Sequence, residues 1–225
     1  HVPLFCFAQL VNRKKISMAY DFKKEQKQFY KPGKKPELID VPKMTYIAVR
    51  GKGDPNATDG EYKQAIQLLY GVAYTIKMSK KGTHKIKNYF DFVVPPLKGL
   101  WWRDGNAGID YAHKEKFEFI SMIRMPDFVT QDVLDWATKE ASEKKDGDFS
   151  KVKLITLDEG KCVQVMYVGS YDDEPATIEK MKEFADQNGV KPDYSDKRRH
   201  HEIYLSDPRR TKVENLKTVI RIPVK

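Results

Sequence analysis

The stretch HHEIYLSDPRR, residues 200–210, places an acid, Glu202, inside a short apolar run that continues with Ile203, Tyr204 and Leu205. Strand interiors disfavour carboxylates, so Glu202 either sits on a solvated face or is aimed into a pocket. Side chains alternate along a strand, which puts Glu202 and Tyr204 on one side and Ile203 and Leu205 on the other. A second run, KGLWWR at 98–103, carries Trp101 and Trp102 in succession, so one indole faces the core and the other the second face of the sheet. A carboxylate, a phenol and an indole sharing a face make a site for a flat organic molecule. The aromatics stack, the phenol donates, and the acid binds a cation or takes a proton. The alternative is that an arm or a dimer partner covers the outward indole.

Other chemistries find little support. GKG at 51–53 lacks the third glycine and the Lys-Ser/Thr ending of a phosphate loop and reads as a turn. His200 and His201 are adjacent on a strand, point to opposite faces, and cannot chelate one ion together. No metal and no other cofactor is expected. The chain has no Gly-x-Ser-x-Gly elbow, and nothing around Cys162 argues for an activated thiol. Cys6 and Cys162 are the two cysteines, too few for a disulfide framework, which suits a reducing compartment. No apolar run approaches the roughly 20 residues of a bilayer crossing, so no membrane partner and a cytoplasmic location are expected.

The elements that must hold these residues can be read from periodicity. At 225 residues with 40% hydrophobic and 12% aromatic content, the chain can bury a core of one large domain. Residues 44–50 read as a strand, and apolar positions 62, 65, 66, 69, 73 and 76 form one stripe on a helix over 61–79. Short aromatic and β-branched runs at 88–95, 98–103 and 117–125 predict strands, and 130–144 a helix. The second half repeats the plan: strands at 152–157 and 161–168 flank DEGK, a good hairpin turn, and a helix begins at Pro175 and stops near Gly189. Two strands, 200–206 and about 218–224, close the chain. AVRGKGDP and MYVGSYDDEP each lead into a helix, so one strand-helix-strand-strand unit is used twice. The expected fold class is α+β: two pseudo-symmetric modules, about 44–125 and 150–225, form one antiparallel sheet with helices on one face and a ligand cleft on the other.

Residues 1–43 hold ten Lys or Arg and four Asp or Glu, whereas the remaining 182 hold 31 against 28, so the net charge of +9 sits mostly in the lead. That lead reads as a solvated basic arm, and a nucleic-acid partner is disfavoured. Residues 1–17 precede a natural-looking start at Met18 and are set aside as a remnant. Oligomeric state is not legible.

Three separated motifs, PPLKGLWW at 95–102, VGSYDDEPATIEKM at 168–181 and HEIYLSDPRRT at 201–211, together with the closing LKTVIRIPV, resemble the GyrI-like small-molecule-binding domain family and its stand-alone members. The resemblance covers about residues 40–225. It implies a pseudo-twofold fold whose cleft holds flat, often cationic aromatics near a buried glutamate, matched here by Glu202. Trp102 matches an aromatic wall, with Trp101 and Tyr204 as further site residues. Stand-alone members are associated with hydrolysis of cyclopropanoid DNA-alkylating agents, which implies a cyclopropyl hydrolase with Glu202 and Tyr204 as catalytic groups. A non-catalytic multidrug binder and a gyrase-inhibitor-like interaction protein are the alternatives; residues 18–43 are too short and polar for a helix-turn-helix reader.

Overall fold

A computed structural model describes residues 18–103 and 112–225. Residues 1–17, with Cys6, lie outside the described residues.

Eight strands form one antiparallel sheet: β1 (Glu37–Val41), β2 (Met44–Lys52), β3 (Leu97–Arg103), β4 (Phe117–Arg124), β5 (Lys153–Leu157), β6 (Gly160–Val168), β7 (His200–Tyr204) and β8 (Lys217–Pro223). Their order is β1-β6-β8-β7-β3-β4-β2-β5. The expected duplication is visible in it: β2 with β3 and β4 builds one half, β6 with β7 and β8 the other, and β3 pairs with β7 where the halves meet. Each half also takes an edge strand from the chain just ahead of the other half's first strand. β5 and β6 are therefore not the hairpin that DEGK suggests. They lie toward opposite ends of the strand order although only Asp158 and Glu159 separate them, so the sheet must curl into a half-barrel until its edges approach.

Three longer helices accompany the sheet: α3 (Glu61–Met78), α4 (Gln131–Ser142) and α5 (Pro175–Gln187), after the short turns α1 (Phe22–Glu25) and α2 (Lys27–Tyr30). The stripe read from the sequence is the buried one in α3, with Ala65, Leu69, Ala73 and Ile76 inward. Thr130 caps α4 through its side chain. Pro175 occupies the first turn of α5, and Gly189 follows its end at φ 70, a left-handed conformation that costs glycine little. The run 88–95 is not a strand; its one ladder contact is the Tyr20–Phe92 bridge. Asn88 has a left-handed φ of 60 and prolines follow at 95 and 96, so the backbone there finds no partner strand.

Two expectations about the faces change. The basic lead is not a solvated arm between Phe22 and Val41: Phe22, Phe29 and Tyr30 are buried in the inner, concave face of the half-barrel, and β1 joins the sheet. Its lysines are spaced so that they face outward while the aromatics face inward. With the concave face filled, the cleft lies on the helix-bearing side. α3 covers β2 and β4, α5 covers β6, and the central β3–β7 pair is left open between them.

Candidate functional site

β7 pairs with β3 in a register that aligns Glu202 with Gly99 and His200 with Trp101. Glu202, Tyr204, His200 and Trp101 therefore project from the convex face at the junction of the halves. Glu202 is 6% exposed. Its Oε2 accepts from the Tyr204 hydroxyl at 2.7 Å, and its Oε1 lies 3.0 Å from His200 Nε2. Tyr204 in turn accepts from the Trp101 indole N–H at 2.8 Å. The order is Trp101 to Tyr204 to Glu202, each proton committed to the next group. Gly99 makes this possible: a Cβ there would stand 2.4 Å from Trp101 Nε1 and 3.0 Å from the Tyr204 hydroxyl. Only a residue without a side chain lets the indole fold down over the strand.

Above this row opens a cavity of about 1110 Å³, lined by Glu202, Tyr204 and Trp101 together with Tyr62, Tyr70 and Tyr171. Such a volume accommodates a drug-sized molecule. Tyr62 reaches in from α3, its ring 5.2 Å from that of Trp101. Tyr171, just ahead of α5, meets the Tyr204 ring edge-on at 5.8 Å. Burial, and then the charge of Glu202, push the Tyr62 phenol well above its ordinary range and that of Tyr171 up to about 12. Both are protonated phenols near neutral pH and can donate into the cavity. At the mouth Lys114 from the first half meets Asp172 from the second at 2.5 Å.

A second carboxylate stands behind the first. Glu174, fully buried at the entry to α5, places a ligand atom within 4.8 Å of those of His200 and Glu202. The sequence reading did not find Glu174, Tyr62, Tyr171 or Lys114, and it treated His200 only as half of an adjacent pair. One signal for Glu174 was present: an acid directly before a proline in the passage from strand to helix, as in Asp54-Pro55 of the first repeat, although only Pro175 opens its helix.

Of the residues proposed from sequence, Glu202, Tyr204 and Trp101 are brought together and Trp102 is not. Trp102, also 4% exposed, points to the concave face, with the guanidinium of Arg50 5.2 Å and that of Arg199 4.5 Å from its ring centroid. Alternation allowed only one of the two indoles into the cleft, and the β3–β7 register selects Trp101. Cys162 is buried, and burial pushes its thiol up to about 12, so it is not activated. Among the described residues no helix is long and apolar enough to cross a membrane.

A duplicated half-barrel with a cleft at the junction of its halves defines a class of small-molecule-binding domains. The chain matches the GyrI-like small molecule binding domain family over residues 34–225 and belongs to it. A crystal structure of a hydrolase from Listeria innocua has a TM-score of 0.84 and 47% identity to it, covering 92% of this chain and 100% of that one. An uncharacterized conserved protein from the same organism reaches 0.87 at 49% identity with the same coverage. The C-terminal domain of EcmrR shares the fold at a TM-score of 0.51 and 12% identity, over 85% of this chain and 97% of that domain. No curated protein matches the chain.

Proposed function

We propose that this protein is a hydrolase that opens the cyclopropane of planar, cyclopropanoid DNA-alkylating agents by glutamate-assisted attack of water. The observation that carries the reading is the Glu202 carboxylate: buried, lining a tyrosine-rich cavity, with one oxygen fixed by Tyr204 and the other beside His200. The family and the hydrolases among its similar structures support it.

In such a substrate the strained ring is conjugated to a dienone. Water attacks the ring carbon and its oxygen forms the new C–O bond. The cyclopropane C–C bond breaks, and its electron pair moves through the ring system to the carbonyl oxygen as a phenolate. Glu202 takes the water's proton, and the phenolate is protonated in turn. General-base assistance of this kind is worth about a hundred- to ten-thousand-fold. Tyr204 gives its single proton to Glu202, so its role is to orient the base. The donors toward the developing phenolate are Tyr62 and Tyr171, which keep their protons and line the same cavity. Trp101, rather than Trp102, supplies the wall against which a planar ring stacks.

The test is turnover of a cyclopropane-bearing alkylator by catalytic amounts of protein, followed by mass spectrometry for the ring-opened hydrate. Glu202→Gln should lose turnover and still bind. Saturable quenching of tryptophan fluorescence without product would reduce the protein to a binder of flat aromatics and sink the hydrolase reading.

A further inference from the structure

His200 and His201 cannot share an ion, but that argument says nothing about His200 with partners from elsewhere. His200 and Glu202, two residues apart on β7, share a face, and Glu174 comes to them from the start of α5. All three are buried, and their nearest ligand atoms lie within 4.8 Å of one another. We propose that Glu174, His200 and Glu202 form a binding site for a divalent transition-metal ion of the Zn²⁺ type, next to the cavity that Glu202 lines.

Four features of the site support this. The ligand set is one imidazole nitrogen and two carboxylates; imidazole favours Zn²⁺ and its neighbours over Mg²⁺ and Ca²⁺, which prefer all-oxygen shells. The charges close: two carboxylates and one divalent cation sum to zero, which suits a buried place where net charge is costly. The orientation is already set, because Tyr204 holds Oε2 of Glu202 and is itself held by Trp101, so that Oε1 faces His200 Nε2 at 3.0 Å. Two atoms at that separation can bind one ion through bonds of about 2 Å, and a hydrogen-bonded outer partner on a ligating carboxylate is the usual companion of such a site. Finally, three protein ligands leave a fourth position for a water or a ligand, and Glu202, one of the three, lines the cavity. The three ligand atoms, now within 4.8 Å of one another, draw together to complete the set.

An ion held this way occupies the oxygen that Glu202 would use as a base, so metal and the metal-free proton transfer proposed above compete for one atom. The test needs no substrate. Isothermal titration of the full chain with Zn²⁺ alone should show one site in the micromolar range or tighter, unchanged by millimolar Mg²⁺. Glu174→Gln and His200→Gln should each weaken it at least tenfold while leaving the metal-free melting temperature within a few degrees. If either variant unfolds, Glu174→Asp, which keeps the charge and shortens the reach, should still weaken binding. Absence of uptake by the unaltered chain would overturn the proposal. So would uptake that survives both substitutions, since it would belong to other groups such as His1 and Cys6. The outcome separates cleanly from the hydrolase reading: turnover without Zn²⁺ uptake defeats only the metal site, and uptake without turnover defeats only the hydrolase.

Discussion

The two histidines of the HHE stretch each hold a glutamate, one on either face of β7, and the pairs have opposite fates. His200 meets Glu202 at 3.0 Å on the convex side, below a cavity of about 1110 Å³. His201 meets Glu159 at 2.6 Å on the concave side, where Arg221 adds a bond to the same carboxylate at 3.1 Å. Arg221 also reaches the carbonyl of Phe29, and Gln164 that of Gln28, so the sealed pair anchors the lead segment that covers it. Burial pushes His201 down to about 4 against the pull of Glu159. Burial works against the Glu159 charge, yet its neighbours His201 and Arg221 hold the carboxyl well below the usual range. With His201 neutral near pH 7, Arg221 is the standing counter-charge. A His–Glu pair thus becomes structural where a fixed cation neutralises it and no space adjoins it. It becomes available for chemistry where the acid lines a cavity.

The largest test of that contrast exchanges each acid for its amide. Glu202→Gln should cut turnover about a hundred- to ten-thousand-fold, with a melting temperature close to that of the unaltered protein. Glu159→Gln leaves Arg221 buried without its carboxylate, a change that costs roughly 3–5 kcal/mol. Its denaturation midpoint should fall sharply, and turnover per folded molecule should persist at temperatures well below melting. Equal loss of turnover in both variants, measured on folded protein, would erase the distinction between the two faces.

Acid should strike the sealed face first. A histidine whose folded pKa is lowered contributes stability that is complete above its unfolded value, ordinarily near 6.5, and is lost as pH falls through the folded one. For His201 the window runs from about 6.5 down to about 4, and Glu159, also lowered, adds loss of the same sign further down. Unfolding free energies from urea titrations should decline through that window by an amount on the order of a few kcal/mol. A flat profile would mean that the concave cluster does not control stability.

The sequence carried the convex face better than the concave one. Strand alternation paired Glu202 with Tyr204, and the same rule split Trp101 from Trp102, because a period of two is a local property. Which indole enters the cleft depends on the β3–β7 register, and no local pattern encodes that. The duplication was legible in two strand-loop-helix passages. The crossed edge strands were not, since Leu157 and Gly160 flank a good hairpin turn and yet serve different halves. The lead segment was misjudged by its lysines: Phe22, Phe29 and Tyr30 among them are the residues that decide where it packs. Glu174 was hidden because the function of an acid before a helix depends on what the fold brings opposite it.

Smaller effects sharpen the comparison further. Gly99→Ala sets a Cβ against Trp101 Nε1 and the Tyr204 hydroxyl, so the chain of protons that holds Glu202 must shift. Misplacing an oriented base lowers kcat more than it raises KM, here by roughly tenfold. The tryptophan emission maximum should move with it as the indole loses its acceptor. An alanine variant with unaltered emission and kcat would show that the orienting relay does not matter.

The smallest expected effect lies on the concave face and runs against intuition. Lys98 is fully buried, its Nζ 3.4 Å from the Tyr46 hydroxyl and about 5 Å over the rings of both Tyr30 and Tyr46. Burial, joined by the nearby Arg221 charge, pushes its amine well below the ordinary lysine range. An unfolded chain binds a proton there up to about pH 10.5, whereas the folded one releases it at lower pH. Folding is therefore penalised at pH 7, and the penalty fades as pH approaches the unfolded value. Lys98→Met keeps the length and removes the amine, so it should stabilise the protein at pH 7 by about 1 kcal/mol or more, with a smaller gain at pH 10. Urea midpoints at the two pH values measure both. A methionine variant less stable at pH 7 would show that Lys98 stays charged between the two phenol rings and that its cation–π contacts outweigh its burial.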